Sequence, residues 1–380
     1  MKSIQTIGVI GGGQLGRMFA LDAKRMGYDV ITLDPHEHSP CGQVADDQIV
    51  AAYDDRAAIE ELGRRSDVIT YEFENVDIDS VRHLEALSYR VLPGSSVLHV
   101  TQNRLLEKEF AREAGLATTE FARVQSFDDL ARAAAQIGFP AVLKTVRGGY
   151  DGKGQWEAAS IEQARAALAQ SGGAELIFEA KVPLACELSV IATRNARDEL
   201  IAYPVAENTH DRGILAMTIA PARVSAATAS RATEMAAVVG RELRIVGTYC
   251  VEFFLSTTGE LLVNEIAPRP HNSGHYTIDV TPCSQFEQQV RAICDLPLSP
   301  PRLLANAIMI NVLGDGTGDR LTGIAKLLAD PSIVLHVYGK RHAVARRKMG
   351  HFTMLVDGPV DAAAVARAKG AHAKLSWSQC

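Results

Sequence analysis

Cysteine pairing is missing from this chain. Its six cysteines are scattered, with no Cys-x-x-Cys spacing, so neither a zinc site nor a disulfide framework is indicated and a reducing, cytoplasmic setting fits. Long apolar runs are missing too: none approaches the length of a membrane span. The opening Met1-Lys-Ser-Ile-Gln-Thr-Ile7 leads straight into a strand pattern and not into a signal peptide. There is no basic excess; the net charge of −6 argues against a nucleic-acid partner, and an anionic substrate would need a local basic cluster. Repeats and low-complexity tracts are absent. What remains is a 380-residue chain, 47% hydrophobic and 22% charged, long enough for two or three domains with several buried cores.

Residues 1–115 alternate strand and helix patterns, with strands expected at Ile7–Ile10, Asp29–Leu33 and Asp67–Tyr71, the signature of a parallel α/β sheet. Thr101–Ala114 reads as one helix with Thr101 as N-cap and Gly115 as terminator. Ser126–Asp129 and Ser160–Gln163 resemble capping boxes. They open two helices that flank a strand, Ala141–Val146, and a glycine-rich loop, so residues 116–175 read as a small α+β lid. Residues 176–380 hold strands, a carboxylate hairpin and a mixed α+β C-terminal part.

The hairpin is the most informative stretch. Thr248–Leu255 and Leu261–Ala267 are rich in Val, Leu and Phe and flank a turn with a glycine, so they read as paired strands. Pairing about that turn sets Glu252 opposite Glu265. Opposed like charges repel, and a buried carboxylate pair calls for a cation between them. Hard oxygen ligands of this kind suit Mg²⁺ shared with nucleotide phosphates. The loop that follows, Pro268–His275, adds Arg269, His271, Asn272 and His275. An edge hairpin with outward-facing glutamates is the plainer alternative.

Two glycine-rich segments point to phosphate. Gly11-Gly-Gly-Gln-Leu-Gly16 follows a strand and precedes a helix, with Asp34 closing the next strand, as in NAD-binding folds. The same glycines would equally admit another phosphate or small anion to the helix N-terminus. Arg147-Gly-Gly-Tyr-Asp-Gly-Lys-Gly-Gln155 has four glycines in nine residues but no Ser or Thr after Lys153, so it is no P-loop. Its amides could close over phosphate oxygens. Lys144 lies on the apolar strand just before it, where an ammonium is costly without an anion; a mobile turn with a snorkelling lysine is the bland reading. Leu176–Val182 is a second apolar strand, whose backbone could read an adenine edge. The basic run Lys340–Lys348 is either a solvated face or a phosphate site.

Together these pieces resemble the ATP-grasp superfamily and, within it, the N(5)-carboxyaminoimidazole ribonucleotide synthase family. The markers are Gly11–Arg17, Tyr71–Asn75, Arg147–Gln155, Glu207–His210 with Gly213–Leu215, Asn264–His275, Ser284–Glu287, and Tyr338–Lys340 with Arg347–His351. The resemblance implies a Rossmann-like first domain without a dinucleotide, whose glycine loop serves a ribonucleotide substrate. It implies ATP contacts at Arg104, Lys144, Gly149, Tyr150, Asp151, Gly152, Lys153, Gly154, Gln155, Glu179, Ala180, Lys181, Val182, Glu187, His210, Asn264 and Glu265. It implies two Mg²⁺ ions on Glu252 and Glu265. The implied substrate residues are Gln14, Leu15, Glu74, Tyr150, Asn272, Lys340, Arg347 and Lys348, and the implied catalytic set is Asp151, Lys153, Arg269, His271 and Lys340.

The expected reaction joins bicarbonate to 5-aminoimidazole ribonucleotide at the expense of ATP, through carboxyphosphate. His271 and Asp151 both stand as candidates for the proton acceptor. A homodimer is also implied. One departure is visible: Asn103 stands where relatives often carry Asp, which leaves the orienting partner of Arg104 open. The rivals are a formate-using glycinamide ribonucleotide transformylase, an NAD-dependent dehydrogenase and a non-catalytic nucleotide-binding protein.

Overall fold

The computed structural model describes residues 4–149 and 152–379. Two site residues expected from the sequence, Tyr150 and Asp151, therefore lie outside the described residues. The first sheet is parallel, with β1 (Thr6–Ile10), β2 (Asp29–Asp34), β3 (Asp47–Val50) and β4 (Val68–Tyr71) in the order β3-β2-β1-β4. Three of these strands are nearly continuous apolar runs, as strands covered on both faces must be. The fourth, β3, carries no such signal, because Asp47-Gln48-Ile49-Val50 is an edge strand and half exposed.

The glycine turn after β1 feeds the helix Gln14–Arg25, but its amides are already taken. Gly13 and Gly16 donate to the Glu72 carboxylate, the latter at 2.8 Å, and Gly12 donates to Asp34 Oδ2 at 2.8 Å. A Cβ on Gly13 would lie 2.3 Å from Glu72 Oε1, so glycine is what allows this approach. Asp34 is buried and also accepts from the Tyr53 hydroxyl. The turn's glycine amides and the ribose acid of the dinucleotide reading are thus committed to internal bonds, which weighs against that reading.

The helix expected over Thr101–Ala114 is two helices, Ser95–Thr101 and Arg104–Glu113. Asn103 ends one and caps the other, its Oδ1 accepting from the Leu105 and Leu106 amides. A short polar side chain that can bond its own backbone interrupts a helix where propensity alone would continue it.

The second sheet is antiparallel: β5 (Phe121–Val124), β6 (Ala141–Thr145), β7 (Gln155–Ala158) and β8 (Leu176–Ala180), in the order β5-β8-β6-β7. Helices Phe127–Ile137 and Ile161–Gln170 bury Leu130, Ala133, Ala164, Ala167 and Leu168 in its core. Ser126 and Asp129 form a reciprocal capping box. Ser160 caps its helix as well, but Gln163 turns its side chain to the Ala159 amide instead.

The remaining strands are β9 (Leu184–Arg194), β10 (Leu200–Ala202), β11 (Ala206–Asp211), β12 (Ile214–Ala220), β13 (Gly247–Ser256), β14 (Leu261–Ala267), β15 (Asn306–Leu313), β16 (Arg320–Thr322), β17 (Ile333–Val337), β18 (Lys348–Val356) and β19 (Ser376–Ser378). Strands β16 and β19 pair alone. The others make one nine-stranded sheet, ordered β14-β13-β9-β11-β12-β15-β18-β17 with β10 beside β9. Helix Ala226–Glu242 covers β9 and β13 through Ala232, Met235, Ala236 and Val239.

Candidate active site

Strand β14 is where the site begins. Next to the turn the hairpin pairs Leu255 with Leu261 and Phe253 with Val263, one residue tighter than the register that would align the two glutamates. A bulge at Asn264 corrects the offset and sets Glu265 opposite Glu252. Bulges re-aim side chains in this way beside functional sites. Both carboxylates face a cleft of about 810 Å³ between the sheets.

The pair is electrostatically incomplete. Burial pushes the Glu252 carboxyl up to about 7; His210 opposes the shift, and Glu265 and Glu187 add to it. Buried Glu252 Oε1 and Asn264 Oδ1 have no hydrogen-bond partner. Glu265 is held by Arg104 Nη1 at 3.1 Å, and Arg104 also donates to the Gly149 carbonyl at 3.3 Å. Two opposed carboxylates with an adjacent unsatisfied amide oxygen are a donor set that fits a hard divalent cation. His210 lies against Glu187; burial opposes its charge, but Glu187 and Glu252 raise its pKa.

On the lid side Lys144 projects from β6, its Nζ 3.1 Å from the Glu179 carboxylate. Lys108 Nζ lies 3.6 Å from the same carboxylate, and Thr119 donates to it at 3.0 Å. Burial would raise the Glu179 pKa, but Lys108, Lys144 and Arg104 hold it near 2. One carboxylate is thus shared by two buried ammonium groups.

At the other end of the cleft Arg269 pairs with Glu74, which holds the guanidinium charged against its burial. The His271 ring is neutral: burial drives its pKa well below 6.5, and Arg269 and Lys348 add to the shift. Its Nδ1 accepts from the Ser273 amide at 3.3 Å and lies 2.9 Å from Ser273 Oγ, while Nε2 is 3.9 Å from Glu252 Oε1.

Among the expected residues, Gln14, Leu15, Glu74, Arg104, Lys144, Gly152, Lys153, Gly154, Gln155, Glu187, His210, Glu252, Asn264, Glu265, Arg269, His271, Asn272 and Lys348 line this one cleft. Others do not. Gly149 lines a small adjoining recess with Arg104 and Glu265. Glu179 lies behind Lys144 as its counterion. The Ala180 and Lys181 amides donate to the Glu120 and Pro140 carbonyls, and these residues and Val182 stand off the cleft wall. In the basic run only Lys348 reaches the wall. Lys340 Nζ donates to the Lys348 carbonyl at 2.8 Å, and Arg347 donates to the His342 carbonyl. Asn272 spends its amide on Asn311 in a mutual pair.

Glu72, Arg212 and Phe254 also stand on the cleft wall, and none of them is marked out by the sequence pattern alone. Glu72 sits inside Tyr71–Asn75, where only Glu74 was singled out. Arg212 directly precedes Gly213, within reach of the same signal.

A Rossmann-like sheet, a small antiparallel lid bearing a buried lysine, and a large antiparallel sheet carrying paired carboxylates define an ATP-grasp ligase. Family models agree along the chain: the ribonucleotide synthetase preATP-grasp domain matches residues 4–102, the ATP-grasp domain residues 109–286, and the phosphoribosylaminoimidazole carboxylase C-terminal domain residues 307–364. The N5-carboxyaminoimidazole ribonucleotide synthase of Bacillus subtilis is 47% identical over 92% of this chain and 91% of its own length. A solved ADP complex of an N5-carboxyaminoimidazole ribonucleotide synthetase superposes with a TM-score of 0.91 at 45% identity, covering 98% of each chain. The Aspergillus clavatus N5-carboxyaminoimidazole synthase, solved with ADP and 5-aminoimidazole ribonucleotide, does so with a TM-score of 0.90 at 30% identity, over 98% of this chain and 99% of that one. The chain belongs to the N5-carboxyaminoimidazole ribonucleotide synthase family.

Proposed function

We infer that the cleft catalyses the ATP-dependent carboxylation of 5-aminoimidazole ribonucleotide to its N5-carboxyamino product, with release of ADP and phosphate, as a step of purine biosynthesis. One observation carries this reading: the opposed carboxylates of β13 and β14, the lid lysine and the Arg269–His271 loop all face a single cleft. The relatives named above bear the same activity in their names, and one was solved with this amine substrate.

The finer assignments are ours. Bicarbonate is the carbon source, activated as carboxyphosphate. ATP lies along Lys144, Lys153 and the lid glycines, with its phosphates toward Glu252 and Glu265. Mg²⁺ held by Glu252 and Glu265, with Asn264 beside them, would neutralise phosphate charge when bound; two ions suit the two carboxylates. Phosphoryl transfer needs positioning and charge neutralisation more than covalent help. Arg269, fixed by Glu74, orients bicarbonate through its guanidinium. His271 receives the Ser273 N–H at Nδ1, so its remaining proton is on Nε2 and faces the cleft; we assign it a hydrogen-bond-donating role there. That leaves Asp151 as the stronger candidate for proton acceptor. Lys348, with Lys340 and Arg347 behind it, supplies positive charge for the ribonucleotide phosphate, near Gln14 and Leu15. Closing the lid excludes the water that would waste the intermediate. We assign the enzyme to the cytoplasm and to a homodimer on the family resemblance.

A coupled ADP-release assay tests the reading, comparing bicarbonate with formate and aminoimidazole ribonucleotide with glycinamide ribonucleotide. Turnover should require Mg²⁺ and bicarbonate and rise strongly with the imidazole amine. Equal turnover with formate and glycinamide ribonucleotide in bicarbonate-free buffer would overturn it.

A further inference from the structure

Strand β14 is the edge of the nine-stranded sheet on its hairpin side. An edge strand leaves a row of backbone donors and acceptors without a neighbouring strand to pair with. In β14 these groups flank the Asn264 bulge, where Asn264 and Glu265 are aimed into the cleft. They are not left to solvent. The Val263 amide donates to the Ala117 carbonyl at 2.8 Å, and Thr118 Oγ1 donates to the Val263 carbonyl at 2.8 Å. Two ionisable side chains from one turn of the helix Arg104–Glu113 complete the edge. Lys108 Nζ donates to the same Val263 carbonyl at 3.1 Å, and the Ile266 amide donates to Glu107 Oε1 at 2.6 Å. Both side chains are almost wholly buried, Glu107 at 2% and Lys108 at 1% exposure.

We propose that Glu107 and Lys108 are positioning residues that clamp the Asn264 bulge from either side and so fix Glu265 and Asn264 in their cation-facing orientation. This rests on the reading of the cleft as a nucleotide–metal site. A bulge has one unpaired residue and a locally broken ladder, so its side-chain directions depend on the residues pinned on either side of it. Here the residue before the bulge, Val263, is held by Lys108. The residue after Glu265, Ile266, is held by Glu107. The clamp also ties the two halves of the site together. Lys108 shares Glu179 with Lys144, and Arg104, one turn earlier on the same helix, holds Glu265 itself. One short helix thereby sets the spacing between the carboxylate hairpin and the lid lysine. Neither Glu107 nor Lys108 lines the main cleft; Glu107 borders the small recess that adjoins it beside Arg104 and Glu265, and its hydrogen bond there is to the Ile266 backbone.

The test is Mn²⁺ binding to the full chain in the presence of ADP, followed by electron paramagnetic resonance, which needs no turnover. Glu107→Gln keeps an oxygen acceptor for the Ile266 amide and should bind Mn²⁺ within about twofold of wild type. Glu107→Met keeps the length and removes the acceptor; it should bind about tenfold more weakly, as expected for a lost buried hydrogen bond. In turnover assays Glu107→Met should raise the Mg²⁺ requirement and the KM for ATP, with the ribonucleotide KM little changed. If Glu107→Met does not fold, Glu107→Asp replaces it, since the shortened carboxylate cannot span to Ile266; the same loss is expected. Equal Mn²⁺ affinity in the acceptor-free and Gln variants, with only melting temperature lowered, would reduce the pair to a structural role and overturn the proposal. Failure of the wild type itself to bind Mn²⁺ with ADP would instead overturn the underlying reading of the cleft.

Discussion

Replacing Glu179 by Gln offers a quantitative check on how the lid lysine is held. The carboxylate is 2% exposed and faces two ammonium groups, with Lys144 at 3.1 Å and Lys108 at 3.6 Å. Its pKa is held near 2, against an ordinary value of 4.5. At about 1.36 kcal/mol per unit, that depression corresponds to about 3 kcal/mol of folding stability at neutral pH. Removing one partner of a buried ion pair independently suggests about 3–5 kcal/mol. The two routes agree, so Glu179→Gln should lose about 3 kcal/mol.

The sign of the pH dependence follows from the same shift. A depressed carboxylate stabilises fully above its unfolded pKa and loses that contribution as pH falls toward its folded value. The gap between wild type and variant should therefore be constant near neutrality and narrow below about pH 4.5. Trp156 lies in the same four-stranded sheet and Trp377 in the distant two-stranded one, so a Trp377→Phe background makes fluorescence report the right domain. In urea the midpoint should fall by at least about 1 M, taking a slope of about 1–3 kcal/mol per molar. Because Lys144, which lines the cleft, then loses its carboxylate partner, Mg·ATP should recover part of the loss. A gap below about 1 kcal/mol, or one that persists unchanged to low pH, would show that Glu179 does not carry this balance.

Other outcomes follow from the cleft. Glu265→Gln should abolish most turnover without unfolding the chain, since relief of repulsion with Glu252 is set against loss of the Arg104 ion pair; near-normal kcat at ordinary Mg²⁺ would exclude it as a ligand. Lys348→Ala should raise the ribonucleotide KM about tenfold or more, as for a lost charge-assisted phosphate contact, whereas Arg347→Ala, whose guanidinium is turned to the His342 carbonyl, should do less. An increase confined to the ATP KM would move Lys348 to the nucleotide. Hydrogen exchange across residues 147–155 should slow on adding Mg·ATP, since the loop's backbone amides would gain phosphate oxygens; equal protection in both states would rule out closure.

Legibility in the sequence followed the physics of each element. The opposed glutamates were readable because a hairpin is local and its turn declares itself. The bulge was not, although it decides which residue faces Glu252, because Asn264 looks like any other strand residue. The parallel core strands were visible as apolar runs, and β3 was hidden by its half-polar edge character. Asn103 was noticed only as a departure from an expected Asp, while its helix-splitting role required knowing that its side chain turns back on the backbone. Glu107 and Lys108 carry no signal of burial in the sequence; they are buried because the partner across them is a sheet edge and not water. Likewise the run Lys340–Lys348 reads as one patch in sequence, but the turn into β18 sends only Lys348 to the cleft wall.

The central claim is that ATP activates bicarbonate before the amine is carboxylated. Turnover with ¹⁸O-labelled bicarbonate, followed by ³¹P NMR of the released phosphate, tests it directly. Passage through carboxyphosphate predicts one bicarbonate-derived ¹⁸O in the phosphate for each carboxylated product. Phosphate free of label, formed together with carboxylated amine, would contradict the account.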